Sequence, residues 1–98
     1  MTADYDVLLS PQVAEFLDAA DEKTERIVRD TLGYLEDNPH PGEGRGDKEK
    51  LPVDGEERYR MHIGRTWTAF YDIYEDDGEV GVLEIVDIDE AHKRYGFD

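Results

Sequence analysis

Residues 57–87, ERYRMHIGRTWTAFYDIYEDDGEVGVLEIVD, read as three consecutive β-strands joined by tight turns. Tyr59, Met61 and Ile63 alternate with Arg58, Arg60 and His62, the period of two expected of a strand with one buried and one wet face. Gly64, Arg65 and Thr66 turn the chain. The segment from Trp67 to Tyr74 is aromatic, β-branched and apolar at nearly every position, as a strand covered on both faces would be. Asp76, Asp77 and Gly78 form a hairpin-type turn in which glycine can take positive φ. Val80 to Ile88 is a third strand, too apolar for an exposed edge.

Upstream, Asp4 to Leu9 reads as a short opening strand. Ser10 and Pro11 start a helix, the hydroxyl capping an amide and the proline suiting the first turn. Val13, Phe16, Leu17 and Ala20 then recur at amphipathic spacing. Asp21 caps a second helix with an inner stripe of Ile27, Val28, Thr31, Leu32 and Leu35, ended by Asn38 and Pro39. Two helices joined so closely form a hairpin that must lay its apolar faces on the sheet. Residues 40 to 56 read as a long polar connection, and His40, between two prolines, as exposed. After the strands, Asp89 can cap a short helical tail. The expected architecture is a single α+β domain over residues 1–98, in the order β-α-α-β-β-β with a C-terminal helical turn.

The 98 residues carry a net charge of −15 from 26 acidic and 11 basic side chains. The acids are spread through periodic segments, unlike a disordered acidic tail. Adaptation to a salty cytoplasm accounts for them best, since screening there shortens the reach of self-repulsion; mimicry of nucleic acid is the weaker alternative. With no cysteine there are no disulfides or thiolate metal sites. The three histidines lack ligand spacing, so neither metal nor cofactor is expected. No run is long enough to span a membrane, and the N-terminus lacks signal-peptide features, which makes the expected location cytoplasmic. Six basic residues (Arg45, Lys48, Lys50, Arg58, Arg60, Arg65) lie between positions 45 and 65 against five acidic ones, while the remainder has five basic against 21 acidic. That retained positive charge points to a local anionic partner.

Among these side chains histidine alone titrates near neutrality unaided. His62, with Arg58 and Arg60 on the same strand face, is the candidate base for a phosphodiester reaction, and Arg60 and Arg65 are candidate phosphate clamps. Trp67, Phe70, Tyr71 and Tyr74 could stack on bases, but aromatics on a central strand are more often core, and Phe70 and Tyr71 are assigned there.

The element order resembles the RelE/ParE superfamily of toxin–antitoxin toxins. So do the L-x-D-N-P exit from the second helix (Leu35 to Pro39), the Y-R-M-H-I-G strand (Tyr59 to Gly64), F-Y-D-I (Phe70 to Ile73), V-L-E-I (Val82 to Ile85) and the terminal tyrosine. The resemblance implies a RelE-like fold and a cognate antitoxin as partner. For the RelE branch it implies metal-independent cleavage of messenger RNA on the ribosome, and for the ParE branch inhibition of DNA gyrase. On the RelE reading the catalytic set is Arg60, His62, Arg65 and Tyr95, with Tyr95 or His92 as the acid. Lys48, Lys50, Arg58, His92 and Arg94 would hold RNA. Thr68 stands nearest the place of an arginine characteristic of active members. Asp89 and Glu90 come first where a basic residue is expected after the last strand. A binding protein that docks without cutting is the alternative.

Overall fold

The alternation across 58–63 is realised as a strand whose Met61 and Ile63 are fully buried while Arg58, Arg60 and His62 are only partly so. The computed structural model describes residues 4–42, 44–53 and 55–90. In chain order the elements are β1 (Asp6–Leu9), α1 (Pro11–Ala19), α2 (Glu22–Leu32), α3 (Tyr34–Asp37), β2 (Asp47–Val53), β3 (Glu56–Ile63), β4 (Trp67–Tyr74) and β5 (Glu79–Asp87). They build one five-stranded sheet in the order β1-β5-β4-β3-β2, with only the β1–β5 pair parallel. The α+β architecture expected of the sequence is therefore present, with β4 at its centre.

One face of the sheet is covered by the helices. Val13 and Leu17 of α1, Val28 and Leu32 of α2 and Leu35 of α3 pack on Met61, Ile63, Ala69, Tyr71, Val80, Val82 and Ile85. Both expected helix caps are in place: the Ser10 hydroxyl accepts from the Val13 N–H (3.3 Å) and Asp21 Oδ1 from the Thr24 N–H (2.7 Å). Ser10 also donates to the Leu83 carbonyl at 2.6 Å, so one hydroxyl starts α1 and ties it to β5. Losing a cap together with such a bond costs about 1–2 kcal/mol. Ser10→Ala should therefore lower the thermal midpoint by about 4–8 °C per kcal/mol lost, read in a calorimetric or circular-dichroism melt.

Three local readings need correction. The polar stretch read as a connection from 40 to 56 contains β2, which pairs antiparallel with β3 from Asp47↔His62 to Val53↔Glu56. Gly46 leads into it at φ +100°, where a Cβ would stand 2.9 Å from Met61 Sδ; only glycine permits both the turn and the close approach. Ile27 is 42 % exposed and lies outside the buried stripe, which is the narrower Val28 and Leu32 of α2 with Leu35 of α3. At the start of the tail the cap is Asp87, whose Oδ1 accepts from the Glu90 N–H at 2.7 Å, and not Asp89. The β4–β5 turn is as expected: a single 3₁₀ turn, Glu75–Asp77, with Gly78 left-handed at φ +64°. No helix among the described residues is long and apolar enough to cross a membrane.

Candidate nucleic-acid interface

Strand register decides which side chains share a surface. Residues directly opposite in a ladder point to the same face. Arg60 lies between Glu49 of β2 and Phe70 of β4, and His62 between Asp47 and Thr68. The face away from the helices thus collects Asp47, Glu49, Arg58, Arg60, His62, Thr68, Phe70 and Asp72. Phe70 is buried at 2 % exposure, and Tyr71, on the helix side, at 0 %, with its hydroxyl donating to the Pro39 carbonyl at 2.7 Å. Both are core residues, and burial pushes the Tyr71 phenol well above its ordinary range.

The arginines on this face are occupied. Arg60 Nε and Nη2 both donate to Glu49 Oε2, at 3.0 and 2.5 Å. Arg58 pairs with Asp72 through Nη1 and with Glu56 through Nη2 at 3.0 Å. Burial raises the Asp72 carboxyl above the usual range, and the neighbouring Arg58 guanidinium pulls the other way. His62 is half-buried on the same face, and no described residue holds its ring by a hydrogen bond.

Lys48 and Lys50, grouped with Arg58 as phosphate contacts on the sequence, lie on the opposite face. The register sets Lys48 against Met61 and Lys50 against Tyr59, the helix side. Lys48 is 6 % exposed and its Nζ donates to the Asn38 carbonyl at 2.6 Å, fastening β2 to the exit of α3. Lys50 pairs with Glu57 at 3.0 Å, which raises its affinity for its proton. Arg45 reaches Asp37 at 3.6 Å and lies 4.4 Å above the Tyr34 ring. The retained charge between 45 and 65 is thus largely accounted for inside the chain, so it does not of itself call for an external anion. Among the described residues Arg65, exposed in the β3–β4 turn, has no ion pair, though it shares a groove with Asp87 and Asp89. His92, Arg94 and Tyr95 fall outside the described residues.

Thr68, nearest the place of the family's arginine, is 1 % exposed beside His62 and reaches no solvent. Sequence reasoning missed Glu49, because a residue in an assumed loop had no assigned face; the alternating charges of Asp47-Lys48-Glu49-Lys50 were the available signal. His40 is not simply exposed: its Nε2 lies 2.8 Å from Glu75 Oε1 and 3.3 Å from the Tyr5 hydroxyl, away from the arginines. Among the described residues no three His, Cys, Asp or Glu side chains are grouped as metal ligands.

No family model and no curated protein matches the chain. Solved structures are similar to it, among them the following two. One is from the archaeal RelE–RelB complex of Pyrococcus horikoshii OT3, 25 % identical with a TM-score of 0.70, covering 86 % of this chain and 94 % of that one. The other is the YoeB dimer of Staphylococcus aureus, 22 % identical with a TM-score of 0.65, covering 84 % and 94 %, a likeness that speaks for the fold alone. With the helical hairpin laid on a sheet of this order and the match to the archaeal RelE–RelB structure over most of the chain, the chain has a RelE-like fold and is similar to the toxins of the RelE superfamily.

Proposed function

We propose that this chain is the toxin of a toxin–antitoxin pair, restrained by a cognate antitoxin, and that it represses translation by metal-independent cleavage of messenger RNA on the ribosome. The observation that carries the reading is His62 beside Arg60 on the face of β3 away from the helices, in a chain whose structural relative was solved as a RelE–RelB complex. Cleavage of this kind moves one proton from the ribose 2′-hydroxyl to a base. The 2′-oxygen then attacks phosphorus and the 5′-oxygen leaves with a proton from an acid. His62 is the base in this scheme, with Glu49 the second carrier within reach of the same phosphate. Arg60 neutralises the charge that builds on the phosphorane, its fork matching two oxygens. Arg65, at the end of the same strand, holds the next phosphate. Tyr95 or His92 supplies the leaving-group proton.

A second reading is favoured by two specific features: buried Thr68 replaces an arginine, and carboxylates hold both β3 arginines. On that reading the chain docks to its antitoxin, the ribosome or gyrase and cuts nothing. Mapping transcript 5′ ends after induced expression, in a host that tolerates high salt, separates the two. Cuts at ribosome-occupied codons are the expected result. Growth arrest with intact transcripts would transfer the assignment to the docking reading, and no arrest with no partner bound would remove both.

A further inference from the structure

The two edges of the sheet are built differently. β2 is guarded by Lys48, Glu49, Lys50 and Pro52, the charged and N–H-lacking residues that keep an edge strand from pairing with foreign strands. β1 has no such guard at its end: Leu8 and Leu9 are 48 % and 38 % exposed. Asp6 and Ser10 direct their N–H groups to β5, onto the Gly78 and Val82 carbonyls at 2.9 and 3.0 Å. Strand alternation then turns the backbone of Val7 and Leu9 outward, where no described residue bonds to it. Beside this edge runs a groove of about 250 Å³, lined by Val7, Leu9, Leu17 and Leu32 with Arg29 and Glu36 at its rim. The rim is acidic in sum, since Arg29 already pairs with Glu25 at 2.9 Å while Asp4, whose N–H donates to the Glu36 carbonyl at 3.0 Å, lies beside Glu36 just before the strand.

We propose that the β1 edge is a docking site for an extended segment of a basic partner protein. The segment adds a strand beside Val7 and Leu9, seats one apolar side chain in the groove, and sets lysine or arginine against Glu36 and Asp4. A second copy of this chain fits poorly, because each copy carries a net charge of −15 and would bring its own acids to the same rim. The inference stands apart from the RNA reading: β5 and β4 separate β1 from β3.

The test uses the isotope-labelled full chain and two blocked nine-residue peptides, one alternating leucine with lysine and the other leucine with glutamate. The lysine peptide is expected to shift the Val7 and Leu9 amide resonances and slow their hydrogen exchange. It should bind about tenfold tighter than the glutamate peptide at low salt, with the gap closing near 1 M salt as screening shortens to a few ångströms. Leu9→Lys, at an exposed position, should keep the fold by circular dichroism and weaken the lysine peptide severalfold. Equal affinity for both peptides, or binding that leaves Val7 and Leu9 unprotected, would overturn the proposal. So would self-association in sedimentation that Leu9→Lys dissolves, which would give this edge to a second copy instead.

Discussion

If the chain cleaves messenger RNA as proposed, Arg60→Ala combined with His62→Ala is expected to relieve translational arrest on expression and to lower RNA cleavage on purified ribosomes by at least about 10²–10⁴-fold. That is the range a general base contributes, and loss of one charge-stabilising group is of similar size. The two effects should not add, since both residues serve one phosphate. The fold should survive. Both side chains lie on the face away from the helices, and Glu49, which loses its guanidinium, is 51 % exposed and is taken up by water. An unchanged thermal midpoint together with lost arrest would separate chemistry from stability. Glu49→Gln in the same assay distinguishes the two candidate bases: if His62 is the base, cleavage persists. Arrest as strong in the double variant as in the wild type would end the case for chemistry on this face.

Leu35→Ala is the second large effect, and it acts on stability. Leu35 is fully buried in the single turn of α3, packed among the residues of the helical hairpin and the sheet. Truncating a buried leucine costs about 2–5 kcal/mol, combining the lost transfer energy with the cavity left behind. A domain of this size has only about 5–15 kcal/mol in total, so the variant should melt at least about 8 °C lower and at a lower urea midpoint. Ile27→Ala is the matched control. The same sequence stripe contained both residues, yet Ile27 is 42 % exposed, and its loss should stay within about 0.5 kcal/mol. Equal costs for the two would mean that the helices pack otherwise.

That contrast shows where the sequence is a good guide and where it is not. The last three strands were legible because Met61, Ile63, Ala69, Tyr71, Val80 and Val82 meet one apolar layer, and alternation records it directly. The helix starts were legible because Ser10 and Asp21 cap by local chemistry, within three residues of the amides they satisfy. β2 was not legible, for its Asp-Lys-Glu-Lys run and Pro52 are what an edge strand shares with a loop. Once β2 was missed, so was the face of every charge on it. Lys48 could not be seen to turn under the sheet, nor Glu49 to meet Arg60, since both follow from register with a strand eleven or more residues away. The grouping of Arg58, Arg60 and His62 on one face needed only their spacing and is present. The carboxylates of Glu49 on Arg60 and of Asp72 on Arg58 are non-local.

The parallel β1–β5 pair has a kinetic side. Ser10 bonds to Leu83, and Gln12 both donates to and accepts from Ile85, contacts that each close a loop of 73 residues. The β3–β4–β5 meander, by comparison, closes through short turns. Loop-closure entropy grows with the logarithm of length, so the meander can assemble on its own account while the amino-terminal strand waits to be carried in by the helical hairpin. Such a strand is the last to arrive and the first to leave, and for part of the folding time the far side of β5 is itself an unsealed edge.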